Sequence, residues 1–166
     1  MTHPFDPILS RIPNLTLERL ERRIRRFEGR RLLVVGDVML DEYVWGEVQR
    51  VSPEAPVPVV EARRHTYGLG GAGNVVDNVL ALGGSVVVAG LIGNDAQGNT
   101  LREECERAGA DVSGLLVDPG RPTTSKTRVV AHSQQNSQQI VRIDRESREK
   151  MDETLATPGV WPDRPS

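Results

Sequence analysis

The sequence predicts an α/β fold, and three observations carry this prediction. Short apolar runs rich in valine, leucine and isoleucine alternate along the chain with stretches whose apolar residues recur at helical spacing. Turns that contain glycine separate the runs from these stretches. Of the 166 residues, 37% are hydrophobic and 27% are charged, which is typical of a globular domain large enough to bury a core. The expected architecture is therefore a sheet covered by helices.

Composition and charge limit the kinds of partner that the protein is expected to bind and the cellular compartment in which it is expected to lie. The net charge of −2 shows no bias toward nucleic acid or membrane, and no apolar run approaches the roughly 20 residues that span a bilayer. Cys105 is the single cysteine, which excludes an intrachain disulfide. The first ten residues lack the order of a signal peptide. We expect a cytoplasmic protein without a nucleic acid or membrane partner.

The first predicted helix spans residues 16–28. Leucine, isoleucine and phenylalanine recur there at helical spacing, five arginines and three glutamates occupy the other faces, and Gly29 follows as an end signal. Residues 1–14, with three prolines, are predicted to be a loose arm. The arginine cluster either binds phosphate or an anionic surface, or forms a solvated helix face, and charge runs on helices are usually the latter.

Two apolar runs, residues 32–35 and 85–92, are predicted to be buried strands of a parallel sheet, the first of them buried on both faces. Ligands of open α/β sheets bind beyond the carboxyl ends of the strands. Asp37 and Asp41 follow the first run, so we expect them at such a site. Residues 57–61 alternate with prolines, which cannot donate ladder hydrogen bonds, and therefore predict an edge strand or a lid.

The rest of the chain repeats the alternation of helix and strand. We predict helices over residues 75–82 and 99–108, a short strand over 112–117, and a hairpin of strands over 123–131 and 139–144. In the second of these helices Cys105 shares a face with Leu101 and Ala108, so it is predicted to be a core residue and not a nucleophile. After Glu146 the periodicity fails, and residues 147–166 are predicted to be a disordered or non-native tail.

Residues 68–73 form a glycine-rich turn that satisfies the G-x-G-x-x-G pattern of dinucleotide-binding sites. That pattern requires a buried strand before the turn, and residues 63–67 do not resemble one. A Walker A motif is excluded because the sequence contains neither Gly-Lys-Ser nor Gly-Lys-Thr. A nucleotide site of either kind is therefore disfavoured at this turn.

Asn74 follows the glycine turn at the start of a predicted helix. Its amide offers both a donor and an acceptor, as a sugar hydroxyl requires, and free backbone N–H groups lie beside it. With Asp37 and Asp41 as acceptors and no cation expected nearby to pair with them, a neutral polyhydroxylated ligand fits best. The alternative is structural: the glycines permit close helix packing and Asn74 is a helix cap. Residue types alone leave both interpretations open.

Five segments of the chain resemble the ribokinase-like (PfkB) carbohydrate kinases, and within them the D-glycero-β-D-manno-heptose 7-phosphate kinase domain of ADP-heptose synthesis. The matching segments are VVGDVMLD at residues 34–41, VSPEAPVPVV at 51–60, GGAGNV at 70–75, GLIGND at 90–95 and QQIVRID at 138–144. The SPEAPVPVV string is the specific one. The other segments are shared by many sugar kinases of this fold.

This resemblance implies a three-layer α/β/α core with a small β lid. It covers residues 31–146, the sugar-binding half of the family's kinase domain, with the lid at about 43–66 and residues 1–30 preceding it. The residues implied to bind the sugar are Asp37, Asp41, Gly70, Gly71 and Asn74. The predicted hairpin adds three cations that suit a dianionic 7-phosphate, Lys126, Arg128 and Arg142.

The catalytic turn of the family has no counterpart in these residues. Family members transfer the γ-phosphate of ATP, with Mg²⁺, to a sugar hydroxyl, which is O1 in the heptose 7-phosphate kinases. They use a late Gly-Ala-Gly-Asp turn whose aspartate is the base. Here the single Gly-Ala-Gly spans residues 71–73, and Asn74, which follows it, has no carboxylate. We therefore expect a chain truncated before the ATP-binding half, without a catalytic base or metal ligands and with little kinase activity of its own.

Two functions remain open at this point. The first is an incomplete heptose 7-phosphate kinase of the pathway to the lipopolysaccharide core. The second is a non-catalytic module that binds a sugar phosphate or another protein. The expected partners are a small sugar phosphate and either a second copy of the chain or a complementing C-terminal half.

Overall fold

A computed structural model describes residues 11–132 and 137–151. Of the arm predicted over residues 1–14 and the tail predicted over 147–166, residues 1–10 and 152–166 lie outside the described ranges. The helices are α1 (Leu17–Ile24), α2 (Ala72–Ala81) and α3 (Ala96–Ala108). The strands are β1 (Arg31–Val35), β2 (Val38–Val51), β3 (Pro58–Gly71), β4 (Ser85–Ile92), β5 (Asp111–Val117), β6 (Ser125–His132) and β7 (Ser137–Arg145). The predicted α/β fold is confirmed, but β2 was not predicted and follows β1 without a helix between them.

The first sheet is parallel, with the order β1-β4-β5. One of its faces packs against both α2 and α3, and the buried residues of the three elements form a single core. The helices contribute Val76, Val79, Leu101 and Cys105, and alternate positions of β4 contribute Val86, Val88 and Ile92. Each sheet residue is either on this face or on the opposite one, because side chains alternate along a strand. The two helices therefore cover one face of the sheet.

The prediction that residues 32–35 are buried on both faces is wrong. Strand β1 lies at the edge of its sheet, and Leu33 and Val35, which point away from the helices, are 39% and 65% exposed. Leu32 and Val34 pack against the core as expected. An apolar run reports that a strand can be buried, but neighbouring elements decide how many of its faces are covered.

The second sheet has the order β3-β2-β6-β7. Strand β2 pairs antiparallel with β3 and parallel with β6, and β6 and β7 form the predicted antiparallel hairpin. The proline-containing strand β3 is an edge strand, as predicted. Residues 43–66, the expected lid, lie within the long β2–β3 hairpin.

The helix ends differ from the predicted ones for local reasons. Helix α1 stops at Ile24 instead of residue 28, and the chain continues in turns to Gly29, whose φ is 68°. Helix α3 starts three residues earlier than predicted because Asp95 caps it, with Oδ1 accepting from the Gly98 N–H at 2.9 Å. Its Cys105 is fully buried, which confirms the predicted core role and raises the pKa of the thiol to about 11.

Candidate functional site

The carboxyl end of β1 and the start of α2 are joined through Asp37. Its backbone carbonyl accepts a hydrogen bond from the Ala72 N–H at 2.8 Å. Gly71, at the junction of β3 and α2, has a φ of 58°, and a Cβ there would collide with the same carbonyl oxygen. The glycine turn is thus held against Asp37, whose side chain is exposed at the end of the sheet where ligands were expected.

Asp41 lies in β2, with its carboxylate against Gly70. A Cβ on Gly70 would be 2.7 Å from Asp41 Oδ2 and 2.7 Å from Met39 Cγ. Only a residue without a side chain allows this approach, so Oδ2 faces the backbone of the glycine turn. Among the described residues, Oδ2 has no hydrogen-bond partner. The structure therefore brings Asp37 and Asp41 together at the glycine turn, the first through its backbone carbonyl beside Gly71 and the second through its carboxylate beside Gly70.

Asn74 is an exposed residue in the first turn of α2. The helix cap is Gly71, which makes no side-chain capping bond, so the alternative that Asn74 is the cap is wrong. The other half of that structural alternative holds for Gly73, where a Cβ would be 2.9 Å from Leu69 Cβ. One glycine thus serves helix packing, while the Asn74 amide is left at the helix start beside the first backbone N–H groups.

Strand β3 explains why the G-x-G-x-x-G pattern is not a dinucleotide site. Residues 63–67 do form a strand, but it is an exposed antiparallel edge strand, and Gly68 and Gly70 lie inside it. The fingerprint needs its glycines in the turn that follows a buried parallel strand. Residues 68–73 therefore match the sequence pattern of a dinucleotide-binding site but do not have its geometry.

The expectation that no cation lies near the two aspartates is wrong for Asp41. Arg128 Nη1 lies 2.5 Å from Asp41 Oδ1, and the guanidinium carbon lies 5.3 Å from the centre of the Tyr43 ring. The hydrogen bond to Asp41 raises the pKa of Arg128 further above its ordinary value. Residues 41 and 128 meet because β6 runs parallel to β2 with Tyr43 opposite Arg128, a register that composition does not reveal.

The other two candidate cations occupy neighbouring positions on the same sheet. Lys126 lies opposite Asp41 on one side and Asp144 on the other. Arg142 makes a bidentate pair with Asp144, with both N···O distances at 2.9 Å. In the part of the chain that the structure describes, no carboxylate lies within ion-pair distance of Lys126.

A row of aromatic rings continues along β2 beyond Asp41, and sequence reasoning missed it. Tyr43 stacks on Trp45 at 5.8 Å between ring centres, and Trp45 stacks on His132 at 5.5 Å. Trp45 Nε1 donates to Thr66 Oγ1 at 2.8 Å, and Arg64 lies over the Trp45 ring. The period-two spacing of Asp41, Tyr43 and Trp45 in the sequence is the signal that could have placed them on one face.

A cleft of about 320 Å³ opens at the carboxyl ends of β1 and β4. Asp37 and Met39 line it on one side, and Arg121 and Glu146 on the other. Arg121 Nη2 donates to the Glu149 carbonyl at 2.8 Å and so ties the segment after β7 to the cleft. Arg121 was not among the predicted site residues, since nothing in its local sequence distinguishes it from a surface arginine.

The described residues show neither a membrane helix nor a metal cluster. Among residues 11–132 and 137–151, no helix is long and apolar enough to cross a bilayer. The same residues contain no group of three or more histidine, cysteine, aspartate or glutamate side chains arranged to hold a metal ion.

Solved structures share this fold. The ribokinase from Cryptococcus neoformans var. grubii serotype A in complex with ADP is 25% identical, with a TM-score of 0.51 over 78% of this chain and 38% of that chain. A carbohydrate kinase from Agrobacterium tumefaciens is 22% identical, with a TM-score of 0.54 over 69% of this chain and 35% of that chain. The fold is ribokinase-like.

Curated relatives are more similar in sequence. The bifunctional protein HldE of Desulfatibacillum aliphaticivorans is 54% identical over 127 residues, which are 76% of this chain and 25% of that protein. HldE of Geotalea uraniireducens is 51% identical over 132 residues, 80% of this chain and 26% of that protein. The chain spans about a quarter of the length of these relatives. A family model described as pfkB family carbohydrate kinase matches residues 30–157, more than half of the chain, and the chain belongs to that family.

Proposed function

We propose that this chain forms the sugar-binding part of a kinase that phosphorylates D-glycero-β-D-manno-heptose 7-phosphate at O1, in the cytoplasmic pathway to ADP-heptose and lipopolysaccharide. The observation that carries the proposal is the Asp41 carboxylate held against Gly70, with Oδ2 directed at the glycine turn. The choice of heptose phosphate within the family is supported by the SPEAPVPVV segment and by the similarity to HldE.

The proposed substrate contacts follow from the donors and acceptors at the site. Asp41 Oδ2 and the exposed Asp37 carboxylate accept from sugar hydroxyls, while the Asn74 amide both donates and accepts. The backbone N–H groups of Gly70 and Gly71 lie beside them. The phosphate at the far end of the sugar points toward β6 and β7, the strands on which Lys126, Arg128 and Arg142 supply positive charge.

Phosphoryl transfer is proposed to need groups beyond these 166 residues. The glycine turn ends in Asn74, which cannot accept the proton of an attacking hydroxyl. A complementing C-terminal half is therefore to supply the base and the groups that bind ATP and Mg²⁺. A coupled assay of ADP release with ATP, Mg²⁺ and the heptose phosphate checks this, and we expect no turnover above background. A rate near 1 s⁻¹, the low end of the roughly 1 to 100 s⁻¹ typical of kinases, would contradict it.

The alternative function is a non-catalytic module that binds a sugar phosphate. The observation that favours it is that the single Gly-Ala-Gly of these residues belongs to the sugar-binding segment and is followed by Asn74, so that they contain no Gly-Ala-Gly-Asp turn. Adding a purified C-terminal half from an HldE relative separates the two functions. Restored turnover supports the incomplete kinase, and unchanged binding without turnover supports the module.

Calorimetry with heptose 7-phosphate tests the site itself. Asp41→Ala and Asn74→Ala are each expected to weaken binding about tenfold to a hundredfold, because each removes a hydrogen-bond partner from the substrate. Asn99→Ala is the matched control, since Asn99 is also an exposed asparagine near the start of a helix, α3, but lies outside the site. Equal affinities in all the variants and the wild type would reject the assignment.

A further inference from the structure

Arg128 was expected to meet the substrate phosphate, but its surroundings indicate another role. Its guanidinium is held from two sides, by Asp41 Oδ1 at 2.5 Å and by the Tyr43 ring at 5.3 Å. The side chain is 21% exposed, and the same Nη1 also donates to the Lys126 carbonyl at 3.4 Å. Both hydrogen bonds use Nη1, which leaves the N–H groups of Nε and Nη2, but the charge of the guanidinium is already offset by the Asp41 carboxylate.

The ion pair between Arg128 and Asp41 Oδ1 determines which carboxylate oxygen of Asp41 is available to a ligand. An aspartate side chain can rotate, and its two oxygens exchange places when it does. With Oδ1 bound to Arg128, Oδ2 is the oxygen that faces Gly70. Among the described residues Oδ2 has no hydrogen-bond partner, so it is the oxygen left to accept from a sugar hydroxyl. The pair therefore orders the carboxylate before substrate binds, which reduces the entropy cost of binding.

The ion pairs on β6 and β7 indicate that a cation other than Arg128 binds the phosphate. Arg128 offsets the charge of Asp41, and Arg142 offsets that of Asp144. Within the described ranges, Lys126 lies between these two pairs and is the one member of the three without an ion pair. Its charge is the one that a phosphate dianion can use without breaking an existing pair.

We propose that Arg128 is a positioning residue that orients Asp41 toward the sugar hydroxyls, and that Lys126 is the residue that binds the phosphate. This inference rests on the proposed function of the site. It separates two contributions to specificity. Arg128 governs the grip on the sugar ring, whether or not the sugar is phosphorylated, and Lys126 governs the preference for the phosphorylated form.

The test compares heptose 7-phosphate with unphosphorylated heptose by calorimetry on the wild type, Arg128→Met and Lys126→Met. Arg128→Met is expected to weaken binding of both sugars by a similar factor, about tenfold, and to leave the ratio of the two affinities unchanged. Lys126→Met is expected to weaken only the phosphorylated sugar. Arg128→Lys keeps the charge without the planar guanidinium and is expected to restore part of the affinity for both sugars. Loss confined to the phosphorylated sugar in Arg128→Met would overturn the proposal.

A second measurement keeps this inference separate from the proposed function. If the wild type binds neither sugar, the proposed function fails, and urea unfolding of Arg128→Met, Asp41→Asn and the double variant decides the pairing. A shift of the midpoint in the double variant that is smaller than the sum of the single shifts supports Arg128 as the residue that holds Asp41. Additive shifts would show that the two side chains do not act together and would overturn the positioning role.

Discussion

Gly71 is the residue on which the geometry of the site most depends. Its backbone has a φ of 58° and a ψ of −126°, a conformation that side chains disfavour, and a Cβ would meet the Asp37 carbonyl. Gly71→Ala is expected to lower the free energy of unfolding by more than about 2 kcal/mol. Gly68→Ala is the control, because no heavy atom lies within 4 Å of a Cβ at that position. Urea unfolding is the measurement, and equal losses in the two variants would contradict the steric argument.

At the scale of the elements, the start of α3 shows how one side chain connects two segments. Asp95 Oδ1 accepts from the Gly98 N–H at 2.9 Å and the Thr123 hydroxyl at 2.6 Å, and Oδ2 accepts from the Thr123 N–H at 3.0 Å. Asp95→Ala is expected to cost about 2 kcal/mol, the upper end for a helix cap. Thr16→Ala removes the cap of α1, a single exposed bond of 3.3 Å, and is expected to cost about 0.5 kcal/mol. Similar denaturant midpoints for the two variants would contradict the additional stabilisation expected from the hydrogen bonds between Asp95 and Thr123.

The same carboxylate contributes a pH dependence of known sign. Burial by itself raises the pKa of Asp95, but the hydrogen bonds from Thr123 and Gly98 outweigh it and hold the pKa below its ordinary value. A lowered pKa in the folded state means that this stabilisation is present above the unfolded value of about 4 and is lost as the pH falls through the folded pKa. Stability measured from pH 5 downward should therefore fall more steeply in the wild type than in Asp95→Asn. Parallel curves would show that the network does not hold the carboxylate ionised.

For the whole molecule, the exposed apolar side chains on the edge strands of the first sheet are the main liability. Leu33 and Val35, on the face of β1 away from the helices, are 39% and 65% exposed, and Val117 of β5 is 42% exposed. In the described part of the chain, β1 and β5 are both edge strands. Exposed apolar edges invite pairing with another chain. We expect the isolated chain to self-associate or to be marginally stable in sedimentation experiments, and a complementing C-terminal half to restore a compact species.

Substitution at this sheet edge sharpens that expectation. Val35→Lys should reduce self-association, whereas Val51→Lys, at an equally exposed valine at the end of β2, should not. A heat-stable monomer with a cooperative unfolding transition in the wild type would show that the described residues bury a sufficient core without help.

The sequence by itself determined the features that depend on local periodicity and residue type. It identified the three helices, β1, β4, β5 and the β6–β7 hairpin to within a few residues, the edge position of β3, the buried Cys105 and the place of Asp37 after the first strand. It did not identify β2, the 14-residue strand that contains Asp41. It also carried the resemblance to the carbohydrate kinases. These features are encoded within short windows, where spacing, proline and glycine act directly on the backbone.

Only the tertiary structure decided which distant groups meet and which faces are covered. The Asp41–Arg128 pair joins residues 87 positions apart, and it exists because β6 lies beside β2 in one register, which a slip of one residue would abolish. The exposure of Val35 likewise depends on which helices lie over β1 and not on the strand itself. Register and layer packing are properties of the assembled sheet, since they arise from contacts between segments whose own sequences are compatible with several pairings.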